Sequence, residues 1–184
     1  GRTAIDVWES KLRLSADREA TAMMTWGLRL EPLILAAYAE ATGRTINRKA
    51  RQRFLEGYPH LGCTLDADAG DRVVEAKFSP YERDFGEPAD GALGLPMNIR
   101  AQVQWQLLIT GYERADVPVL VRGFDLRIFE VDADTILQED LRSELDEFWR
   151  EHVLTRIPPV LDDPAQLADY LQRRPDDGST IVAP

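Results

Sequence analysis

LDADAGDRVVEAKF (65–78) reads as a β-hairpin that carries charge where a sheet normally carries apolar side chains. Two extended segments, 62–66 and 72–78, flank the turn residues Asp68-Ala69-Gly70-Asp71. Alternate side chains of a strand share a face, so Val74, Ala76 and Phe78 point together into a core. Glu75 and Lys77 then point together the other way. On the opposite arm Thr64 and Asp66 share a face, and the tight turn brings Asp66 near Glu75. A carboxylate and an ammonium on an otherwise apolar strand are costly unless they pair or bind an ion. Two acids and a lysine at one spot on a sheet form a hard-oxygen site suited to Mg2+, with Mn2+ as substitute. Such a cation would neutralise a phosphodiester and lower the pKa of water, with Lys77 orienting that water or touching the phosphate. A solvated strand face closed by a salt bridge has the same pattern, and the hairpin alone leaves both readings open.

Helices and further strands surround the hairpin. AIDVWESKL (4–12) is a short amphipathic helix with Ile5, Trp8 and Leu12 on one face. Over 18–42 the residues Trp26, Leu30, Leu33, Ile34, Ala37, Tyr38 and Ala41 recur at helical steps, and Gly43 stops the run. Pro32 inside it removes a backbone donor and predicts a kink or division near Glu31. An extended segment over 44–54 leads to the hairpin, and 79–95, with its glycines and prolines, reads as a loop. A helix over 97–110 closes at Gly111, strands follow at 116–122 and 124–131, and a helix over 134–154 stops before Pro158-Pro159. One more helix is expected at 164–173. The order of elements predicts an α/β (α+β) fold with a central mixed β-sheet flanked by α-helices.

Two features outside the hairpin favour the chemical reading. Glu31 sits at the expected kink of an otherwise apolar helix, available to join a cation site. In AQVQWQLL (101–108), Gln102 and Gln106 share a helix face with Ile99 and Ile109, an odd place for amides without partners. WGLRLEP (26–32), AYAEATG (37–43), GCTLDAD (62–68), VVEAKF (73–78) and AQVQWQLLITG (101–111) occur in an order and spacing that resemble the YqaJ-like viral recombinases. These are relatives of phage lambda exonuclease in the PD-(D/E)xK nuclease superfamily. The resemblance implies a restriction-endonuclease-like fold, with a nuclease domain over 1–157 and a C-terminal helical tail over 158–184. It implies that Glu31, Asp66 and Glu75 are metal ligands, Lys77 the catalytic lysine and Gln102 a supporting glutamine. It also implies a phage-type recombination exonuclease that degrades duplex DNA from an end and leaves 5′-phosphates. A protein that anneals the resulting single strand would be a partner, and a ring-shaped trimer the assembly. The family usually shows Pro-Asp-Gly at the first strand acid, where this sequence has Leu65-Asp66-Ala67. A further segment of small polar residues that approaches DNA usually precedes IDVWESK, whereas Gly1-Arg2-Thr3 opens this sequence. That difference bears on DNA affinity more than on metal binding. A restriction- or repair-type endonuclease, and a catalytically inactive DNA- or protein-binding relative, are the alternatives.

Composition narrows the remaining classes. The 184 residues carry 22 Lys+Arg against 32 Asp+Glu, a formal charge of −10. That balance opposes DNA binding by bulk charge and requires locally concentrated cations instead. Arg48, Lys49, Arg51 and Arg53 supply such a stretch, and on a strand Lys49, Arg51 and Arg53 share one face as a candidate phosphate track. A charged edge strand protected from aggregation has the same sequence. A single cysteine, Cys63, excludes a disulfide framework, a four-cysteine zinc site and an iron–sulfur cluster. Cys63 reads as a small core residue, His60 as structural or exposed, Asp68 as a turn residue, and Trp105 and Trp149 as core. Acids between Glu139 and Glu151 read as the wet face of a helix whose other side carries Leu141, Leu145, Phe148 and Val153. No apolar run approaches the ~20 residues a membrane helix needs. A cytoplasmic protein of a bacterial host, phage- or prophage-encoded, fits these features.

Overall fold

The computed structural model describes residues 3–15, 20–49 and 52–161. The chain forms two compact units, Gly1–Arg18 with Phe148–Pro184, and Glu19–Glu147. In the first, helix α1 (Ala4–Leu12) starts at a capping box in which Thr3 and Asp6 bond each other's backbone N–H. Its Ile5 and Trp8 pack on Val153 of the π-helical segment Trp149–Leu154, with Phe148 and Trp149 alongside. The Trp8 indole N–H donates to the His152 carbonyl at 2.9 Å.

The second unit is built on a mixed sheet whose central strand is β6 (Arg114–Val121). β7 (Asp125–Asp132) runs antiparallel along one edge of β6. Along the other edge lie β4 (Arg72–Val74) and then β5 (Lys77–Ser79), both parallel to β6, with β3 (Ala67–Asp68) antiparallel to β4. β1 (Gln52–Leu55) and β2 (Tyr58–Thr64) form a separate antiparallel pair. Helix α2 (Ala22–Thr42) covers one sheet face, where Leu35 and Tyr38 meet Ala67 and Val74. Helix α3 (Met97–Thr110) covers the other, where Ile99, Val103 and Leu107 meet Leu65, Val73, Val117 and Phe129. Helix α4 (Thr135–Phe148) follows β7. Glycines in the left-handed region end α2 at Gly43 (φ 69°) and α3 at Gly111 (φ 71°), where a side chain would be strained.

Among the expectations that change, three bear on the sheet and on α2. The strand over 72–78 is interrupted at Glu75 and Ala76 although β4 and β5 keep a common register against β6. The Glu75 N–H still donates to the Asp116 carbonyl at 3.1 Å. The returning bond of a parallel ladder would run from residue 118 to the Glu75 carbonyl, and Pro118 has no N–H to give. Second, α2 runs unbroken through Pro32. Leu28, whose carbonyl loses its helical donor, is exposed, which lets solvent take that place. Third, Trp26 (54 % exposed) and Leu33 (64 %) lie outside the core, while Leu35 joins Ile34 and Tyr38 in it. A helix of this length spans about 30 Å, more than the two- and three-residue strands β3, β4 and β5 can cover. The expected helix over 164–173 lies outside the described residues. No described helix is long and apolar enough to cross a membrane.

Candidate active site

The interruption between β4 and β5 is where the charged side chains meet. Glu75 points to the α3 face, is 2 % exposed, and has nitrogen donors around its carboxylate. Lys77 Nζ (2.5 Å) and Gln102 Nε2 (2.6 Å) donate to Oε1, and Gln106 Nε2 (2.7 Å) donates to Oε2. Lys77 Nζ also donates to Gln102 Oε1 at 3.0 Å, so lysine, glutamate and glutamine form a closed triangle. Burying the Glu75 carboxylate unpaired would be costly, and these donors satisfy it.

Asp66 is anchored from both sides. Leu65 is buried in the α3-side core and Ala67 in the α2-side core, which fixes the acid between them at the sheet edge. The Ala76 N–H, which would continue the β3–β4 ladder, donates to Asp66 Oδ2 at 3.0 Å instead. Burial, with the like charges of Glu75 and Glu31, pushes the Asp66 carboxyl up to about 7, against the opposing pull of Lys77 and the Ala76 N–H. Glu31 on α2 therefore belongs to the same electrostatic group, and its Oε1 accepts from Arg48 Nη2 at 3.0 Å. Three carboxylates with an excess of negative charge are a hard-oxygen donor set that fits Mg2+ or Mn2+. Asp66, Glu75 and Glu31 are the residues that would hold it. Among the described residues no three His, Cys, Asp or Glu side chains are gathered closely enough to hold a metal ion; Glu75 is tied up by nitrogen donors and Glu31 by Arg48.

A buried network supports the backbone of Glu75 from behind. Asp116 accepts from Arg72 Nη1 at 2.9 Å and from the Tyr38 hydroxyl at 2.6 Å, while its carbonyl takes the Glu75 N–H. It joins β4, β6 and α2 at one point, and nothing in the local sequence of Tyr38, Arg72 or Asp116 announces it. The sequence assigns no role to Gln106, and its shared helix face with Gln102 and Ile99 is the signal that points to it.

The basic stretch is not a single strand face. Lys49 lies in an exposed bend before β1, Arg48 pairs with Glu31, and Arg53 stands 3.7 Å from Asp68. Asn47 bridges Asp68 just before this stretch, and Arg51, the middle residue of the expected track, lies outside the described residues. Asp68, expected in the turn, instead ends β3, and its carboxylate accepts from the Gly70 N–H and the Tyr112 hydroxyl. Burial pushes the Cys63 thiol up to about 11, against a nucleophilic role. One acid of α4 leaves the expected wet face: Asp146 is 5 % exposed because His60 bonds it at 3.1 Å. Leu145, expected inside, is exposed.

Residues 2–113 match the model of the YqaJ-like viral recombinase domain, more than half of the chain, with Glu31, Asp66, Glu75, Lys77, Gln102 and Gln106 inside the match. The chain belongs to that family. In this YqaJ-like chain the architecture also matches solved exonucleases. An alkaline exonuclease from Laribacter hongkongensis aligns with a TM-score of 0.66 at 20 % identity, covering 91 % of this chain and 82 % of its own. The same enzyme in complex with dAMP gives 0.63 at 19 % identity, with 92 % and 82 % covered. A phage-related exonuclease from Haemophilus somnus gives 0.60 at 12 % identity, with 80 % and 78 % covered. The YqaJ-like chain thus has the PD-(D/E)xK fold, with a central mixed sheet between helices. Among proteins of curated function, no sequence matches it.

Proposed function

We propose that this YqaJ-like protein is a divalent-metal-dependent deoxyribonuclease of the phage recombination type, acting on duplex DNA ends and leaving 5′-phosphates. The observation that carries the reading is the Glu75–Lys77–Gln102 triangle beside Asp66, set at a break in the sheet. A bound Mg2+ or Mn2+ supplies charge neutralisation of the phosphate and a lower pKa for water. Asp66, Glu75 and Glu31 would hold the cation. Lys77 is close enough to Glu75 and Gln102 for both to aim its ammonium at a phosphate oxygen or at the attacking water. Gln102 keeps that lysine in place by accepting a hydrogen bond from its ammonium. Arg48, Lys49, Arg51 and Arg53 are the proposed phosphate contacts. Family membership supports a nuclease domain over 1–157, a single-strand annealing partner and a ring-shaped trimer as parts of the same reading.

The test uses end-labelled linear duplex beside a covalently closed circle, with Mg2+, with Mn2+ and with EDTA. Loss of the linear DNA alone, abolished by EDTA, is the expected result. Nicking of the circle would convert the reading to an endonuclease, and cleavage of neither would overturn it.

A further inference from the structure

Gln106 holds the cluster together in a way that neither Gln102 nor Gln104 does. It is 1 % exposed, and its amide hydrogens serve acceptors on two segments. One goes to Glu75 Oε2 at 2.7 Å and the other to the Thr64 carbonyl at 3.2 Å. Thr64 ends β2, two residues before Asp66. A single side-chain amide therefore ties the segment leading into Asp66 to the carboxylate of Glu75. Both partners are acceptors, so turning the amide over would set oxygen against oxygen; its orientation is fixed. Gln106 Oε1 is buried with no hydrogen-bond partner among the described residues. That orphaned acceptor is a standing cost, so the contribution of Gln106 lies in its two donors.

The two oxygens of Glu75 are not equivalent. Oε1 accepts from Lys77 and Gln102, whereas the bond recorded at Oε2 is the one from Gln106. Oε2 thus keeps more lone-pair capacity for a cation, and Gln106 sets the direction of that lone pair. We propose that Gln106 is a positioning residue of the cation site, fixing the plane of the Glu75 carboxylate and its spacing from Asp66. This rests on the metal-dependent reading above. Residues behind metal ligands act this way through orientation, and their loss weakens metal binding without removing a ligand.

Gln104 supplies the control. It is equally buried on the same helix, but its amide bonds the Asp132 carbonyl, the Asp134 N–H and Gln138, away from the carboxylates. The experiment titrates Mn2+ alone into the whole protein by calorimetry, for wild type, Gln106→Met and Gln104→Met, with melting temperatures in EDTA alongside. Gln106→Met is expected to weaken Mn2+ binding about 10- to 100-fold, with cleavage partly restored by added Mn2+ and KM for DNA unchanged. Gln104→Met is expected to lower the melting temperature and keep wild-type Mn2+ affinity. Equal Mn2+ affinity in wild type and Gln106→Met overturns the role, as does an equal loss in both variants. Side-chain amide NMR of the wild-type protein gives the answer without a variant. The Gln106 NH2 signals should move during Mg2+ titration while those of Gln104 stay, and unmoved Gln106 signals overturn the proposal. Absence of Mn2+ binding by the wild type overturns the metal reading itself, a different result from normal wild-type binding with an indifferent Gln106→Met.

Discussion

At the scale of single residues, the account turns on which groups carry charge into a buried place. Lys77→Met keeps the length of the stem and removes the ammonium; kcat should fall by about 10²- to 10⁴-fold, the usual worth of a positioned proton donor or acceptor. Stability should change less, because removing the lysine leaves Glu75 with its two glutamine donors. Asp66 gives a pH prediction. Its folded pKa of about 7 lies above the ordinary carboxylate value of 3.8. Between those values the unfolded chain is ionised there while the folded chain holds a proton, so stability without metal falls as pH rises through that window. A cation needs the ionised carboxylate and relieves its repulsion from Glu75 and Glu31. The rise in melting temperature on adding Mn2+ should therefore grow from pH 5 to pH 8, as thermal melts across that range will show. A rise that shrank with pH would contradict the placement of Asp66 in the cation site. The residues themselves were legible early: Asp66, Glu75, Lys77 and Gln102 are an unusual set of polar side chains on apolar elements. Gln106 was visible as an amide on an apolar helix face but its partners were not, and the Tyr38–Asp116–Arg72 network was not visible at all, because only the fold brings these distant residues together.

At the scale of elements, helix ends read well from sequence because they are local: Gly43 and Gly111 end α2 and α3 where expected. The strand break did not, because it depends on Pro118, a residue on another strand that lacks an N–H for the Glu75 carbonyl. Pro118→Val would supply that N–H. The added hydrogen bond is worth about 1 kcal/mol, and the lost rigidity of the unfolded chain costs about 0.4–1 kcal/mol. Chemical denaturation should therefore find stability nearly unchanged, while Mn2+ affinity falls as Glu75 and Ala76 are drawn into a regular ladder. Unaltered Mn2+ affinity with a restored ladder would show that the break does not serve the site. Leu107→Ala, by contrast, hollows the α3-side core and should cost about 2–5 kcal/mol, read as a lower denaturation midpoint.

At the scale of the whole molecule, a formal charge of −10 means that DNA is attracted only where cations are concentrated. If Arg48, Lys49, Arg51 and Arg53 each meet a phosphate, log K against log salt should fall with a slope of about −4. Lys49→Ala should reduce that slope by about one, measured by anisotropy with a labelled duplex. The fold class and the order of helices and strands could be read from periodicity and turn residues. The division into two compact units could not, because residues 4–12 and 148–154 meet only through tertiary packing of Ile5, Trp8 and Val153. The central claim is that the cluster around Glu75 hydrolyses phosphodiesters with a divalent cation. Its most direct test is the release of labelled nucleotide from linear duplex DNA by wild type and Glu75→Gln, each in Mg2+ and in EDTA. Release by the wild type in Mg2+ alone, with Glu75→Gln folded and inactive, is the predicted result; undiminished release by Glu75→Gln, or release in EDTA, would contradict it.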